Sequence, residues 1–424
     1  MINFFTSFYI VIFLILNPIT LNLIFHNKMH GYIFTPALII FDAVVFLLAY
    51  LTFKSKNKVE SLIVFSSFII LIVICEVAAN KLMYSKKNSF DFIFKEPVFY
   101  EDEKQNFRQK YYKCALKKSD YYHKLYFFSA PKNLDCDGWS TIKSKNGPWV
   151  RNTINFSDQS NENNIWFFGG STMYDGVLSD KDTIPSLVSE KLNFNNKNFY
   201  VENFGIGGLD LHYEVNNFFN LLRFSKNKPE IVVFYDGYND IFNKLKYSGE
   251  FFIFNFSQNL MYDQNNFHKS LYFFSEFLSD HSVIYKNTLG KKIRKFNIDR
   301  LQQNKKEFTI DEISDDFINS IKIANDLAKK NKIDIYFFLQ PTPFARKNPV
   351  GIEISYHNLD EAKLARKVYR NISTKINLEN FYDISNVFDN YSEQFFYDYA
   401  HLSRKGNLVI AEKIFEILNK NIKQ

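Results

Sequence analysis

The stretch Ile-Trp-Phe-Phe-Gly-Gly-Ser-Thr-Met-Tyr, at residues 165–174, decides how the rest of the chain is interpreted. Four apolar residues end abruptly at two glycines and Ser171, and helix-forming residues resume near Thr183. This pattern predicts a buried strand that ends in a tight turn. Glycine lets the backbone turn sharply and approach a ligand closely, which a nucleophilic serine requires. Gly-Gly-Ser also occurs in ordinary turns, so this stretch alone fits either a nucleophilic serine or an ordinary turn.

Three further stretches follow apolar runs in the same way. They are Asn-Phe-Gly-Ile-Gly-Gly at 203–208, Gly-Tyr-Asn-Asp at 237–240 and Asp-Tyr-Ala-His-Leu at 398–402. Together with the Ser171 stretch, and in this order, they resemble the motif blocks of the SGNH (GDSL-like) hydrolases. The resemblance covers residues 165–424. The sequence departs from the family at Gly170, where many members carry Asp, although Gly-Gly-Ser-Thr is itself a familiar variant.

Strand-like and helix-like segments alternate through this part of the chain. Strands are predicted at 165–168, 199–204, 231–235, 333–339 and 381–384, and helices at 183–192, 211–224, 316–330, 357–376 and 404–418. Such alternation indicates a parallel sheet with helices on both faces. We therefore expect a three-layer α/β/α sandwich with a five-stranded parallel sheet, SGNH- or flavodoxin-like. An insertion at about 241–313, rich in Phe, Tyr, Asn and Lys, is expected over the strand tips as a lid or acyl pocket.

The predicted strands place several candidate catalytic residues at one edge of the sheet. Ser171 follows the first strand, Gly208 the second and Asn239 the third. Asp398 and His401 follow the fifth. Ligand sites of open α/β sheets lie beyond the carboxyl ends of the strands. The sequence therefore predicts a site that contains all five residues.

The family resemblance implies a role for each of these residues. Ser171 is the nucleophile, His401 the base with an ordinary pKa near 6.5, and Asp398 the group that orients the imidazole. The backbone N–H groups of Ser171 and Gly208, with the side-chain amide of Asn239, form the oxyanion hole. Taken singly, each residue also fits an ordinary turn or helix end. This chemistry needs neither a metal nor an organic cofactor, and the sequence contains no Cys/His cluster with metal-site spacing.

The first 80 residues differ in character from the rest of the chain. Residues 4–25, 32–53 and 62–79 are apolar runs long enough to span a bilayer. A cleaved signal peptide could explain the first run, but that run has no basic segment before it and two more runs follow. We therefore expect a three-helix transmembrane anchor at 1–80. Asp42, inside the second run, is either functional or hydrogen-bonded to Asn17, Asn22 or a partner helix.

The lysines between these runs predict their orientation. The loop between the second and third runs carries three lysines, whereas the loop between the first two carries one. The positive-inside rule then places the amino terminus in the cytoplasm and everything after the third run outside it. Three lysines shortly after the third run favour the opposite orientation.

Residues 81–164 form a polar, aromatic-rich connector without a clear period. Cys114 and Cys136 lie in this connector, and Cys75 lies in the third apolar run. An oxidising compartment would permit a disulfide between Cys114 and Cys136. Two buried thiols are the equal alternative.

Composition narrows the class of function. The formal net charge is +7 and the isoelectric point is about 8.9, without a dense basic run after the predicted anchor. This balance suits an anionic envelope or membrane surface and does not indicate a nucleic-acid partner. The sequence thus predicts a membrane-anchored extracytoplasmic serine esterase that hydrolyses a small-molecule or glycan acyl ester, with spans that could dock beside a membrane partner protein. The alternatives are an O-acyltransferase or deacetylase of envelope glycans, and a glycan-binding module without activity.

Overall fold

The computed structural model describes residues 163–247 and 307–422, except Asn196 and Lys226, and most of 130–155. It also describes a short hairpin within 123–128 and eight separate helical residues between 47 and 66. The chain divides into two units, residues 1–88 with 256–305 and residues 89–255 with 306–424. Apart from the helical residues between 47 and 66, the described residues belong to the second unit.

Several predictions fall outside the described residues. These are the three apolar runs apart from single helical residues in the second and third, Asp42, Cys75, Cys114 and most of the insertion at 241–313. Among the residues that the structure does describe, no helix is both long enough and apolar enough to cross a membrane. The membrane anchor and the lid therefore stay predictions.

The described strands, in chain order, are β1 (His123–Lys124), β2 (Phe127–Phe128), β3 (Thr141–Lys143), β4 (Trp149–Arg151), β5 (Asn164–Gly169), β6 (Tyr200–Asn203), β7 (Ile231–Asp236), β8 (Asp334–Leu339) and β9 (Phe381–Asp383). The described helices of the second unit are α1 (Ser171–Tyr174), α2 (Ile184–Phe194), α3 (Leu211–Phe224), α4 (Tyr238–Tyr247), α5 (Ile310–Asn331), α6 (Glu353–His357), α7 (Asp360–Lys375) and α8 (Arg404–Asn421). The five predicted strands and five predicted helical segments are all represented, with shifted ends and with 357–376 formed largely by α7.

The main sheet has seven strands in the order β3-β4-β6-β5-β7-β8-β9. Strands β6, β5, β7, β8 and β9 run parallel to one another, whereas β4 is antiparallel to both β3 and β6. The predicted five-stranded parallel sheet is therefore wrong. The sheet is mixed, because part of the predicted connector adds a hairpin to the parallel strands.

The hairpin of β3 and β4 turns at Gly147, whose φ of +108° favours glycine. The N–H of Gly147 donates to the Ser144 carbonyl, and the N–H of Ser144 donates to the Pro148 carbonyl. Strand β4 lies along β6 and so covers backbone groups that would otherwise form an open sheet edge. The strands are only three residues long, which explains why no alternating period marks them in the sequence.

Both faces of the central parallel strands β5, β6 and β7 are buried. Along β5, Ile165 and Phe167 face a core that they share with α2 and α8. Trp166 and Phe168 face a second core, shared with α3, α5 and α7. This alternation is the two-residue period of a strand, and it confirms the α/β class with helices on both faces.

Candidate active site

Ser171 lies at the carboxyl end of β5, where the strand turns directly into the single-turn helix α1. The carbonyl of Gly170 accepts the N–H groups of Met173 and Tyr174 at 3.1 and 3.0 Å, which fixes this turn. A Cβ at position 170 would collide with the amide nitrogen of Asn239. Glycine at this position therefore lets the Asn239 side chain approach the backbone beside Ser171.

His401 and Asp398 lie in the loop between β9 and α8. The loop is closed by a bridge between Phe396 and Leu402 and by the bond from the Tyr397 N–H to the His401 carbonyl. One carboxylate oxygen of Asp398, Oδ1, accepts the N–H groups of Ala400 and His401, each at 2.8 Å. Asp398 thereby folds the loop that carries the histidine.

The structure brings Ser171, His401 and Asp398 together in a hydrogen-bonded line. His401 Nε2 lies 2.7 Å from Ser171 Oγ, and His401 Nδ1 lies 2.8 Å from Asp398 Oδ2. Ser171 and His401 are 230 positions apart in sequence, so this contact is a product of the fold. The arrangement places a proton acceptor beside the serine hydroxyl and an acceptor for the other imidazole N–H.

Electrostatics couple the two ionisable members of this line. Burial opposes charge on His401, but the Asp398 carboxylate, by its charge and its hydrogen bond, and the charge of Asp175 together raise the pKa of His401 above its usual value. Burial likewise opposes charge on Asp398, yet His401 and the two backbone N–H donors hold the pKa of Asp398 below its usual value. Asp398 is thus an ionised partner that stabilises a protonated His401.

Gly207, next to the predicted donor Gly208, and the predicted donor Asn239 both lie close to the turn that carries Ser171. A Cβ built on Gly207 would lie 3.9 Å from Ser171 Cβ, so the loop after β6 passes beside the serine. Gly208 follows with φ +82°, a conformation that favours glycine. The half-buried Asn239 donates from Nδ2 to the Leu209 carbonyl at 2.5 Å. Because a side-chain amide has two N–H groups, a second one is left for a ligand.

Sequence reasoning missed a buried clamp on the turn that follows Ser171. Asp175 closes α1 in the left-handed conformation, with φ +48°. Its carbonyl accepts from Trp139 Nε1 at 3.1 Å and from Arg151 Nε at 3.4 Å. Both donors come from the predicted connector, which therefore holds the backbone of the nucleophile turn.

Arg151 is the centre of this clamp and is completely buried. It pairs with Asp180, donates to the Leu178 carbonyl at 3.0 Å, and lies over the Trp139 ring at 4.3 Å. A buried guanidinium requires such partners because desolvation of the charge is costly. No pattern around residue 151 distinguishes this arginine in the sequence.

The side chain of Asp175 ties the same turn to α8. Its Oδ1 accepts the N–H groups of Val177 and Leu178, and its Oδ2 accepts Asn407 Nδ2 at 2.8 Å. Because α8 follows His401 directly, the turns that carry the serine and the histidine are joined through Asp175. The Asp-Gly pair at 175–176 signals a turn in the sequence, but not this link.

Four buried acids lie at the end of β7, in α4 and at the start of α3: Asp236, Asp240, Asp210 and Glu214. Asp240 Oδ1 accepts the N–H of Leu211 at 2.9 Å and so joins α4 to the start of α3. Burial and the neighbouring carboxylates raise the pKa values of Asp236 and Glu214 well above the usual range of such acids. Burial also raises the pKa of Asp240 to about 7.

Two basic residues accompany these four acids. His212 Nδ1 lies 2.9 Å from Asp210, and Lys244 pairs with Asp316 at 2.7 Å. Within the described ranges, no group of three or more His, Cys, Asp or Glu side chains is arranged to hold a metal ion.

Cys136 packs at the edge of the clamp. It is disulfide-bonded, and both other cysteines of the chain lie outside the described residues. Its N–H donates to the Trp139 carbonyl at 2.9 Å, and it shares a buried cluster with Trp139 and Tyr174. A bridge from Cys136 to Cys114 stays a prediction.

Comparison with known proteins gives similarity at the level of solved structures. No protein-family model matches the chain, and no curated protein matches it. An acetyl xylan esterase is 14% identical with a TM-score of 0.36, covering 60% of this chain and 99% of that one. A lipolytic G-D-S-L family protein from Veillonella parvula is 12% identical with a TM-score of 0.35, covering 60% of this chain and 98% of that one. A GDSL-like lipase from Bacteroides thetaiotaomicron is also 12% identical, with a TM-score of 0.33, covering 62% of this chain and 90% of that one. At these values, any functional assignment depends on the geometry of this chain's own residues.

Proposed function

We propose that the chain is a serine hydrolase that cleaves an acyl ester through Ser171, His401 and Asp398. The line of hydrogen bonds from Ser171 Oγ through the imidazole to Asp398 supports this proposal most directly. Few ordinary roles require a partly exposed serine and a buried carboxylate on opposite nitrogens of one histidine. The approach of Gly207 to Ser171 and of the Asn239 amide to Gly170 supports Gly208 and Asn239 as the additional donors that ester chemistry needs.

The proposed reaction proceeds in two halves. His401 Nε2 takes the hydroxyl proton as Ser171 Oγ attacks the ester carbonyl carbon, and the carbonyl oxygen becomes an oxyanion. The N–H groups of Ser171 and Gly208 and the Asn239 amide stabilise that charge. The C–O bond to the alcohol then breaks, and His401 returns the proton to the alcohol oxygen. Water repeats the sequence on acyl-Ser171, which releases the acid and restores the serine.

Ester hydrolysis by matched variants tests this function. Ser171→Ala and His401→Ala should each remove nearly all turnover, and the double variant should be little worse, because residues of one catalytic unit are strongly non-additive. Thr172→Ala, which alters the adjacent hydroxyl, serves as the control and should keep most activity. Turnover by Ser171→Ala near that of the wild type would rule out the proposed nucleophile.

Hydrolysis and acyl transfer share acyl-Ser171 and differ in the acceptor that reaches it. The His401 side chain is 20% exposed, so water has access to the base, which supports hydrolysis as the default reaction. Free acid and acylated sugar should both be followed when a simple ester is supplied with an envelope oligosaccharide. A predominance of acylated sugar at modest sugar concentration would favour the O-acyltransferase alternative.

We further propose that residues 1–80 anchor the enzyme in a membrane with its catalytic part extracytoplasmic. The three apolar runs and the lysines between them support this proposal. A reporter that is active only outside the cytoplasm should be active when fused after Gln424. Activity of only a cytoplasmic reporter at that position would contradict the orientation.

A further inference from the structure

The segment between β6 and α3 carries the predicted donor Gly208, and the first turn of α4 attaches to this segment at two points. At one point, Asn239 Nδ2 donates to the Leu209 carbonyl at 2.5 Å. At the other, the N–H of Leu211 donates to Asp240 Oδ1 at 2.9 Å. The two residues of α4 are consecutive, and the two leucines are separated by a single residue. The attachments therefore close a small ring, in which each one limits movement at the other.

This ring lies directly against the turn that carries Ser171. A Cβ built on Gly170 would collide with Asn239 Nδ2 and would lie 3.1 Å from the Leu209 oxygen. The donor and the acceptor of one attachment are thus packed on the residue before the serine. The side-chain amide of an asparagine can rotate, so the carbonyl that accepts one of its N–H groups also sets the direction of the other. The Leu209 carbonyl therefore aims the second N–H of Asn239.

Asp240 has a contact that its position in α4 does not explain. An acid in the first turn of a helix usually stabilises that helix, through its free N–H groups or its dipole. Asp240 instead uses Oδ1 for a residue 29 positions earlier in the chain, and its side chain is buried. Among the residues that the structure describes, its Oδ2 accepts no hydrogen bond. Burying a polar atom without a partner costs free energy, which indicates a role other than stabilising the fold.

We propose that Asp240 is a positioning residue for the oxyanion hole. It fixes Leu211, and through this residue the Leu209 carbonyl, so that the Asn239 amide keeps one N–H directed at the ester carbonyl oxygen. This inference rests on the proposed function, because it concerns the oxyanion that forms when Ser171 Oγ attacks. Donors that are in place before the reaction stabilise the charge of the transition state without reorganisation, so their placement acts on kcat more than on KM.

Ester hydrolysis by Asp240 variants of the full chain tests this role. Asp240→Ala removes the acceptor and should lower kcat by about tenfold or more with little change in KM, because a misdirected donor loses part of what a removed one costs. Asp240→Asn keeps an acceptor oxygen for the Leu211 N–H and should keep kcat close to that of the wild type. Glu214→Ala, which removes another buried acid, is the matched control. A loss in either Asp240→Asn or Glu214→Ala equal to that in Asp240→Ala would overturn the proposal.

A double variant separates positioning from general damage to α4. If Asp240 acts through the Asn239 amide, Asp240→Ala should lower kcat little further when Asn239→Ala is already present. General damage would instead lower kcat by the same factor with and without Asn239→Ala, and that result would overturn the proposal. Asp240→Leu fills similar space without an acceptor. It should reproduce the loss of kcat, and it replaces Asp240→Ala in every comparison if the alanine variant does not fold.

Hydrogen exchange followed by mass spectrometry tests the attachment without turnover. In Asp240→Ala, a peptide that contains Gly208 and Leu211 should exchange faster than in the wild type, whereas β7 should stay protected. Unchanged exchange of this peptide would overturn the attachment even if esters are hydrolysed. Faster exchange in a chain whose wild type hydrolyses no ester would support Asp240 as the residue that holds this segment, in which case only the proposed function fails.

Discussion

Asp398 uses its two carboxylate oxygens for different tasks. Oδ1 holds the loop through the N–H groups of Ala400 and His401, and Oδ2 holds the imidazole. An asparagine would keep one acceptor but would lose the charge that raises the pKa of His401. The charge and the loop geometry can therefore be separated by one substitution.

The pH dependence of Asp398→Asn tests this division. His401 must be neutral to accept the serine proton, so the activity of the wild type should rise as pH increases through a pKa above about 6.5. Asp398→Asn should move this rise to lower pH and reduce kcat by up to about 10⁴-fold, because the imidazole tautomer is no longer held. A pH profile of kcat/KM measures the shift. A profile that moves to higher pH, or does not move, would contradict the assigned roles.

Asn239 carries the side-chain share of the predicted oxyanion hole. Asn239→Ala should lower kcat by about 10²–10³-fold, equivalent to about 2.7–4 kcal/mol, with a smaller effect on KM. Asn243→Ala, one turn later on α4, is the control and should stay within a few-fold of wild type. Steady-state kinetics on a simple ester measure kcat and KM for both variants. Equal losses in the two variants would indicate damage to α4 and not the loss of an oxyanion donor.

At the scale of elements, the nucleophile turn depends on a hairpin from outside the predicted catalytic region. Strand β4 supplies Arg151, and the residues before β3 supply Trp139. Both donate to the Asp175 carbonyl at the end of α1. The resulting contact ties a segment with no recognisable motif to the first motif block of the chain.

Arg151→Met tests how much this clamp contributes to the free energy of unfolding. The substitution leaves Asp180 buried without its ionic partner, so it should lower the free energy of unfolding by about 3–5 kcal/mol. Arg151→Met with Asp180→Asn should recover part of this loss but still have reduced kcat, because the Asp175 and Leu178 carbonyls each lose the hydrogen bond from Arg151 and only Trp139 still donates to Asp175. Urea unfolding followed by tryptophan fluorescence reports stability. Arg370→Met on the exposed side of α7 is the control, and a loss no larger than the control's would contradict the clamp.

Sequence patterns predicted the strands and helices that are long enough to show a hydrophobic periodicity. The limits of α3 at 211–224 and the positions of Ser171, Asn239 and His401 beyond strand ends follow from such patterns. The hairpin of β3 and β4 does not, because three-residue strands carry no periodicity. The clamp also leaves no pattern in the local sequence, because Arg151 and Asp180 are 29 positions apart and meet only in the folded structure.

At the scale of the whole molecule, buried acids link stability to pH. The pKa of Glu214 and of Asp236 is raised well above its usual range, and that of Asp240 to about 7. The unfolded chain releases these protons near pH 4, whereas the folded chain keeps them to higher pH. The folded state is thus favoured at low pH by these groups, and their contribution to stability is lost as pH rises above about 4, in the case of Asp240 through about 7.

Glu214→Gln should reduce this pH dependence. The amide is similar in shape to the protonated acid but does not ionise, so the variant should lose less stability than the wild type between about pH 5 and pH 8. Thermal unfolding midpoints at both values measure the difference. Glu361→Gln, at an exposed site on α7, should behave like the wild type. A steeper loss for Glu214→Gln than for the wild type would show that the sign of the coupling is wrong.

Labelling of Ser171 by a fluorophosphonate probe tests the central claim most directly, because the probe reacts only with an activated serine and needs no knowledge of the substrate. The purified full-length chain is treated with the probe, and the modified peptide is located by mass spectrometry. We predict a single phosphonylated site at Ser171, no labelling of Ser171→Ala and greatly slowed labelling of His401→Ala. Unchanged labelling of Ser171→Ala, or the same rate for His401→Ala as for the wild type, would contradict the proposed nucleophile and base.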